Sequence, residues 1–209
     1  MGFYPIFVDL GGRPCLVVGG GPVAERKVEG LLTAGAAVTV VSPVLTERLG
    51  RLAGEGVLRH LAREFRADDL AGFALAFVAT DDGALNETVA HEARAAGVWV
   101  NAADDPARCD FILPAVLRRG DLTVAISTGG ASPALTRALR EELDAYLGQD
   151  YALLAELVGE VRRDLRARFR SPDAATWNRA LDGDLRALLA AGRREEARRH
   201  LLERLGAAR

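Results

Sequence analysis

Residues 13–27 read RPCLVVGGGPVAERK, and this stretch decides the fold. Arg13 to Val18 is short, apolar and β-branched, the composition of a buried strand, and three glycines stop it. From Pro22 to Ala34, Val23, Val28, Leu31 and Leu32 supply one apolar helical face, and Gly35 ends the run. Ala37-Val38-Thr39-Val40-Val41 is a second strand, closed by Ser42-Pro43. Strand, tight turn, helix and strand make a βαβ unit, with parallel strands and a right-handed crossover. The turn Gly19-Gly20-Gly21-Pro22-Val23-Ala24 fits G-x-G-x-x-A between a strand and a helix, the context the motif needs. Gly19 permits the sharp turn, Gly21 leaves a pyrophosphate room to approach the backbone, and Ala24 allows close helix–strand packing. The helix start adds free N–H groups and the positive end of its dipole. The stretch predicts a dinucleotide site; a glycine turn without a ligand is the competing reading.

One part of that fingerprint is missing. Dinucleotide-binding units usually end the second strand with an acid that holds the ribose hydroxyls. Val41-Ser42-Pro43 stands there instead. Ser42 offers a single hydroxyl, and no arginine is present for a 2′-phosphate. The expectation is NAD in preference to NADP.

Outward from the unit the alternation continues. Thr46 to Ala53 reads as a short helix, Val57 to Leu61 as a strand, and Phe73 to Ala79 as a strand covered on both faces. Leu85 to Ala96 is a helix ending at Gly97, and Val98-Trp99-Val100 is a fifth strand ending at Asn101. The expected fold class is α/β: a Rossmann-type parallel sheet domain, then a small α+β segment and a helical C-terminal domain. Phe111 to Leu117 and Leu122 to Ser127 read as strands joined by a turn at residues 118–121. Ser132-Pro133 opens a helix, Ser132 as its cap. From there the period is helical, with breaks near Gly148, at residues 170–173 and at Gly192. The expected boundaries are 1–113, 114–148 and 149–209.

Composition narrows the function. About half of the 209 residues are hydrophobic (49%) and 27% are charged, a globular mixture. Net charge is −2, which argues against a strongly basic nucleic-acid binder. The balance is uneven: residues 1–110 hold ten basic and 15 acidic side chains, and the remainder 17 and 14. No apolar run approaches the roughly 20 residues of a membrane span, and no signal peptide is visible. Cys15 and Cys109 make neither a disulfide framework nor a metal cluster, and His60, His91 and His200 are scattered singly. The cytoplasm is the expected compartment and no resident metal is expected.

Two further stretches can carry chemistry. Asn101-Ala102-Ala103-Asp104-Asp105-Pro106 follows the fifth strand and Thr80-Asp81-Asp82 the fourth, at the sheet edge where ligands bind. By spacing, Asp104 is either a proton-handling carboxylate or a turn residue ahead of Pro106. Ser127-Thr128-Gly129-Gly130-Ala131-Ser132-Pro133 is either an anion-friendly turn or a capped helix entrance.

Taken together, Tyr4-Pro5-Ile6-Phe7, the run from Val17 to Lys27, Ala79-Thr80-Asp81-Asp82, Asn101 with Asp104, Phe111-Ile112-Leu113-Pro114 and Ser127 to Pro133 carry a resemblance. In order and nearly without gaps through residue 145, the chain resembles the precorrin-2 dehydrogenase/sirohydrochlorin ferrochelatase family, the dehydrogenase–chelatase module of siroheme synthase. The resemblance implies NAD-dependent oxidation of precorrin-2 to sirohydrochlorin; some relatives then insert Fe²⁺ to give siroheme. It implies a homodimer in which the segment after the nucleotide domain exchanges between subunits. It also implies a standalone module without the methylating step. The family's catalytic aspartate falls on Asp104, and its nucleotide contacts on Gly21, Pro22, Val23, Ser42, Pro43 and Val44. Gly19, Thr80 and Asn101 join them as nucleotide candidates. Ser127, Thr128, Gly129, Arg108 and Arg137, with Arg118 and Arg119, are candidates for the substrate's carboxylates. Two other readings stay open: an NAD-binding regulatory module without catalysis, and a chelatase that has lost nucleotide use.

Overall fold

A computed structural model describes residues 2–102 and 109–207. The chain divides into two units, residues 1–113 and 114–209.

The first unit is a five-stranded parallel sheet built from β1 (Pro14–Val18), β2 (Ala37–Val41), β3 (Arg59–Leu61), β4 (Leu75–Val78) and β5 (Trp99–Ala102). Spatial order is β3-β2-β1-β4-β5, so the direction of winding reverses between β1 and β4. The helices are α1 (Pro22–Thr33), α2 (Glu47–Gly54) and α3 (Gly83–Ala95), and a 3₁₀ turn spans Ala67–Leu70. Alternation along each strand feeds two cores. Cys15, Val17, Val38, Val40, Leu75 and Phe77 pack with Val28 and Leu31 of α1 and Leu49 of α2. Leu16, Val18, Val41, Ala76, Val78 and Val100 pack with Val89, Ala90 and Ala93 of α3. The β-branched runs are therefore sandwiched between helices, as a sheet buried on both faces requires. Phe111 closes the first core edge-on to Phe77, centroids 5.4 Å apart.

The boundaries differ from the sequence reading in several places: β3 and β4 begin later than expected, at Arg59 and Leu75, the strand expected from Phe111 begins at Ala115, and a further helix break falls at residues 181–182. Helix α3 begins at Gly83, because the Asp82 carboxylate accepts from the N–H groups of Ala84 and Leu85. β5 runs through Ala102, which makes Asn101 a buried strand residue. The hairpin turn is confined to Gly120-Asp121: Arg118 and Arg119 pair with Thr123 and Leu122 inside the ladder, and Gly120 takes the positive φ (+55°) of a tight turn.

That hairpin, β6 (Ala115–Arg119) with β7 (Leu122–Ile126), opens the second unit. Five helices follow: α4 (Pro133–Tyr146), α5 (Asp150–Ala167), α6 (Ala174–Ala180), α7 (Gly183–Ala190) and α8 (Arg194–Arg204). Leu157, Val161, Leu165, Leu185, Leu189 and Leu201 form its core. Its surface is laced with ion pairs, Arg194 to Glu156 and Glu160 and Arg198 to Asp164 among them. Helix α4 buries none of its residues within the protomer, and Leu135 and Tyr146 are exposed.

Candidate functional site

A cleft of about 450 Å³ opens at the carboxyl ends of β1, β2 and β4, where the winding reverses. Its floor is the glycine turn. Gly19 has φ +117°, and a Cβ there would lie 2.3 Å from the Ala79 carbonyl oxygen. Gly20 is equally closed: a Cβ would lie 2.0 Å from the Val44 carbonyl oxygen. The loop after β2 is clamped over it, since the Thr46 N–H donates to the Gly20 carbonyl and the Thr46 hydroxyl to Glu25. Gly21 is different, because a Cβ on it meets nothing within 4 Å and would project into open space.

Gly21 is also the N-cap of α1, with Pro22 at the first helical position and no side chain capping the end. Pro22 has no N–H to satisfy. The N–H groups of Gly21, Val23 and Ala24 have no acceptor among the described residues. Open space, unpaired N–H groups and a helix dipole form a cradle for a diphosphate. The residues present fit a dinucleotide.

Gly19, Gly21, Pro22, Val23, Ser42, Pro43 and Thr80 all line this cleft. Ser42 spends its hydroxyl proton on the Val44 carbonyl at 2.8 Å, which leaves the oxygen's lone pairs as acceptors. Thr80 donates to Asn86 at 2.6 Å and receives the Asp82 N–H. Val44 and Asn101 are outside the lining. Val44 is exposed, while Asn101 is buried and donates to the Phe111 carbonyl at 2.9 Å. The Lys27 ammonium reaches the Asn101 side-chain oxygen at 3.4 Å. Glu64 and Phe65, beyond β3, line the cleft as well. Sequence reasoning missed both, because nothing in their local pattern says that β3 lies beside β2.

Asp104 and Arg108 lie outside the described residues. The chain on either side of that segment is tied together at the sheet edge. The Cys109 sulfur receives the Ala102 N–H, and Asp110 binds both Arg94 and the Val100 N–H.

In the second unit, the turn from Ser127 to Ser132 satisfies itself. The Ser127 hydroxyl accepts the Gly129 N–H, Thr128 accepts the Ser132 N–H, and Ser132 caps α4 at Leu135. Arg119 is committed to Asp144 and to the Leu147 carbonyl at the end of α4. Arg118 and Arg137 are exposed, with no ion pair among the described residues. Among the described residues no cluster of three metal-ligating side chains occurs, and no helix is long and apolar enough to cross a membrane.

Comparison with known proteins gives three family matches. Residues 6–115 match a family described as NAD(P)-binding, residues 119–146 the sirohaem biosynthesis protein central family, and residues 150–205 the sirohaem synthase dimerisation region. The siroheme synthase of Methylococcus capsulatus is 44% identical over 210 residues, covering 100% of this chain and 44% of that protein. That of Nitrosomonas europaea is 41% identical over 208 residues, covering 98% of this chain and 44% of its own. The chain thus spans less than half the length of these curated relatives. The solved structure of SirC, a precorrin-2 dehydrogenase, is similar over 98% of this chain and 99% of its own, with 30% identity and a TM-score of 0.76.

Proposed function

Because the chain belongs to the siroheme synthase family, sharing its NAD(P)-binding, central and dimerisation regions, we propose that it oxidises precorrin-2 to sirohydrochlorin with NAD. The observation that carries the reading is the cleft, in which the start of α1, uncapped by any side chain and opened by Gly21, lies at the reversal of a parallel sheet. Kinship supplies the substrate class.

The N–H groups of Gly21, Val23 and Ala24 hold the diphosphate, and Gly19, Pro22, Ser42, Pro43 and Thr80 complete the wall. Val44 and Asn101 are proposed contacts on grounds of sequence. NAD held there would supply the hydride acceptor for the oxidation. The chain must then take up a proton, and Asp104, two residues beyond the end of β5, is the proposed acceptor. The same carboxylate would take pyrrole N–H protons during Fe²⁺ insertion, the second activity we propose. Arg108 and Arg137, with Ser127, Thr128 and Gly129, are the proposed partners of substrate carboxylates. A homodimer is proposed from the dimerisation region at residues 150–205.

The test follows precorrin-2 absorbance with and without NAD, then adds Fe²⁺. Sirohydrochlorin should form only with NAD, and Asp104→Ala should abolish turnover while leaving NAD binding intact. NAD binding without turnover in the unaltered protein would favour a regulatory module. Iron insertion without any use of NAD would favour a chelatase alone.

A further inference from the structure

The second strand ends without an acid for the ribose hydroxyls, yet the cleft contains one from elsewhere. β3 pairs with β2, Leu61 opposite Val41, and the chain leaving β3 passes beside Ser42. His60 fixes this arrangement through the Ser42 carbonyl at 2.9 Å, and the Ser42 N–H donates to Leu61. Three residues on, Glu64 lines the cleft together with Ser42 and Pro43. Its carboxylate is exposed and has no partner among the described residues. Its backbone is held firmly. Arg63 makes a two-pronged pair with Asp69 at 2.7 and 2.5 Å and also donates to the Glu64 carbonyl at 2.9 Å. The loop thus presents a carboxylate with no partner among the described residues, its backbone tied by Arg63, in the same cleft as the end of β2, where sheets of this class usually place the acid that holds the ribose.

We propose that Glu64 accepts hydrogen bonds from the adenosine ribose diol and excludes a 2′-phosphate. The proposal rests on the cleft being the nucleotide site. Charge in the cleft supports it. The ionisable side chains lining it are Glu64, Asp81 and Asp82, and no arginine or lysine is among them. Arg63, the nearest cation in sequence, is consumed by Asp69. A 2′-phosphate placed beside Glu64 meets like charge with no counter-ion, whereas a diol meets an acceptor.

The test is calorimetric titration of the full chain with NAD⁺, NADP⁺ and the 2′-deoxyadenosine analogue of NAD⁺. The unaltered protein should bind NAD⁺ at least tenfold more tightly than NADP⁺. Glu64→Gln should weaken NAD⁺ about tenfold, because a charged acceptor becomes a neutral one. It should also narrow the NAD⁺/NADP⁺ ratio, and Glu64→Lys should invert it. The 2′-deoxy analogue should lose affinity for the unaltered protein but little more for Glu64→Gln. Gly21→Asp controls for the cleft and should block both cofactors. If NAD⁺ binds and Gly21→Asp blocks it, while Glu64→Gln leaves both affinities unchanged, the role of Glu64 is refuted and the dehydrogenase reading stands. If the unaltered protein binds neither cofactor, both fall.

Discussion

At Gly20 the chain has no room for a side chain, although the G-x-G-x-x-A pattern treats that position as free. The obstruction is backbone, the Val44 carbonyl at 2.0 Å, which cannot swing aside as a side-chain tip can. Gly20→Ala should therefore displace the 42–46 loop and destabilise the first unit by about 2 kcal/mol, within the usual range for a forced backbone shift. Thermal melts would measure it. Gly21→Ala, whose Cβ points into open space, should leave the melt nearly unchanged. Two adjacent glycines thus differ: Gly20 is closed off by backbone, while Gly21 opens onto the space proposed for the nucleotide. The motif revealed the second; the first depends on a loop more than 20 residues further along the chain.

Among the elements, the connection from β3 to β4 carries the two-pronged Arg63–Asp69 pair. The Asp69 carboxyl is lowered from its ordinary value because Arg63 hydrogen-bonds to it, with the Arg66 N–H adding to the effect against the opposing cost of burial. A carboxyl lowered on folding contributes stability above its unfolded value, near 3.9, and loses it as pH falls through the lower folded value. Asp69→Asn should therefore destabilise the protein at neutral pH by about 1 kcal/mol, a modest value because Arg63 is one-third exposed. The difference from the unaltered protein should shrink below pH 4. Chemical denaturation at a series of pH values checks this. A difference that grows toward low pH would contradict the assignment. Because Arg63 also holds the Glu64 carbonyl, the same variant should modestly weaken NAD⁺ binding.

The whole molecule comprises two units with separate cores, and perturbations should respect that division. Leu157 is fully buried among α5, α7 and α8. Leu157→Ala should cost about 2–5 kcal/mol in the helical unit. Since the match to the dimerisation region covers residues 150–205, sedimentation should show the proposed homodimer weakened, while NAD⁺ titration stays close to that of the unaltered protein. The exposed apolar residues of α4, Leu135 and Tyr146, belong to the same unit and are consistent with further burial on association.

Local pattern alone determined the βαβ start, the glycine turn, the alternation of strands and helices, and the capped entrance to α4. Period, propensity and capping act over a few residues, so they can be read along the chain. The tertiary structure decided the strand order β3-β2-β1-β4-β5, and with it which distant residues meet. It put Glu64 beside Ser42, pressed Val44 onto Gly20, drew Asn101 into the sheet, and committed Arg119 to Asp144. Those pairings depend on long-range strand register and loop closure, whose free energy is spread over contacts that no single window of sequence contains.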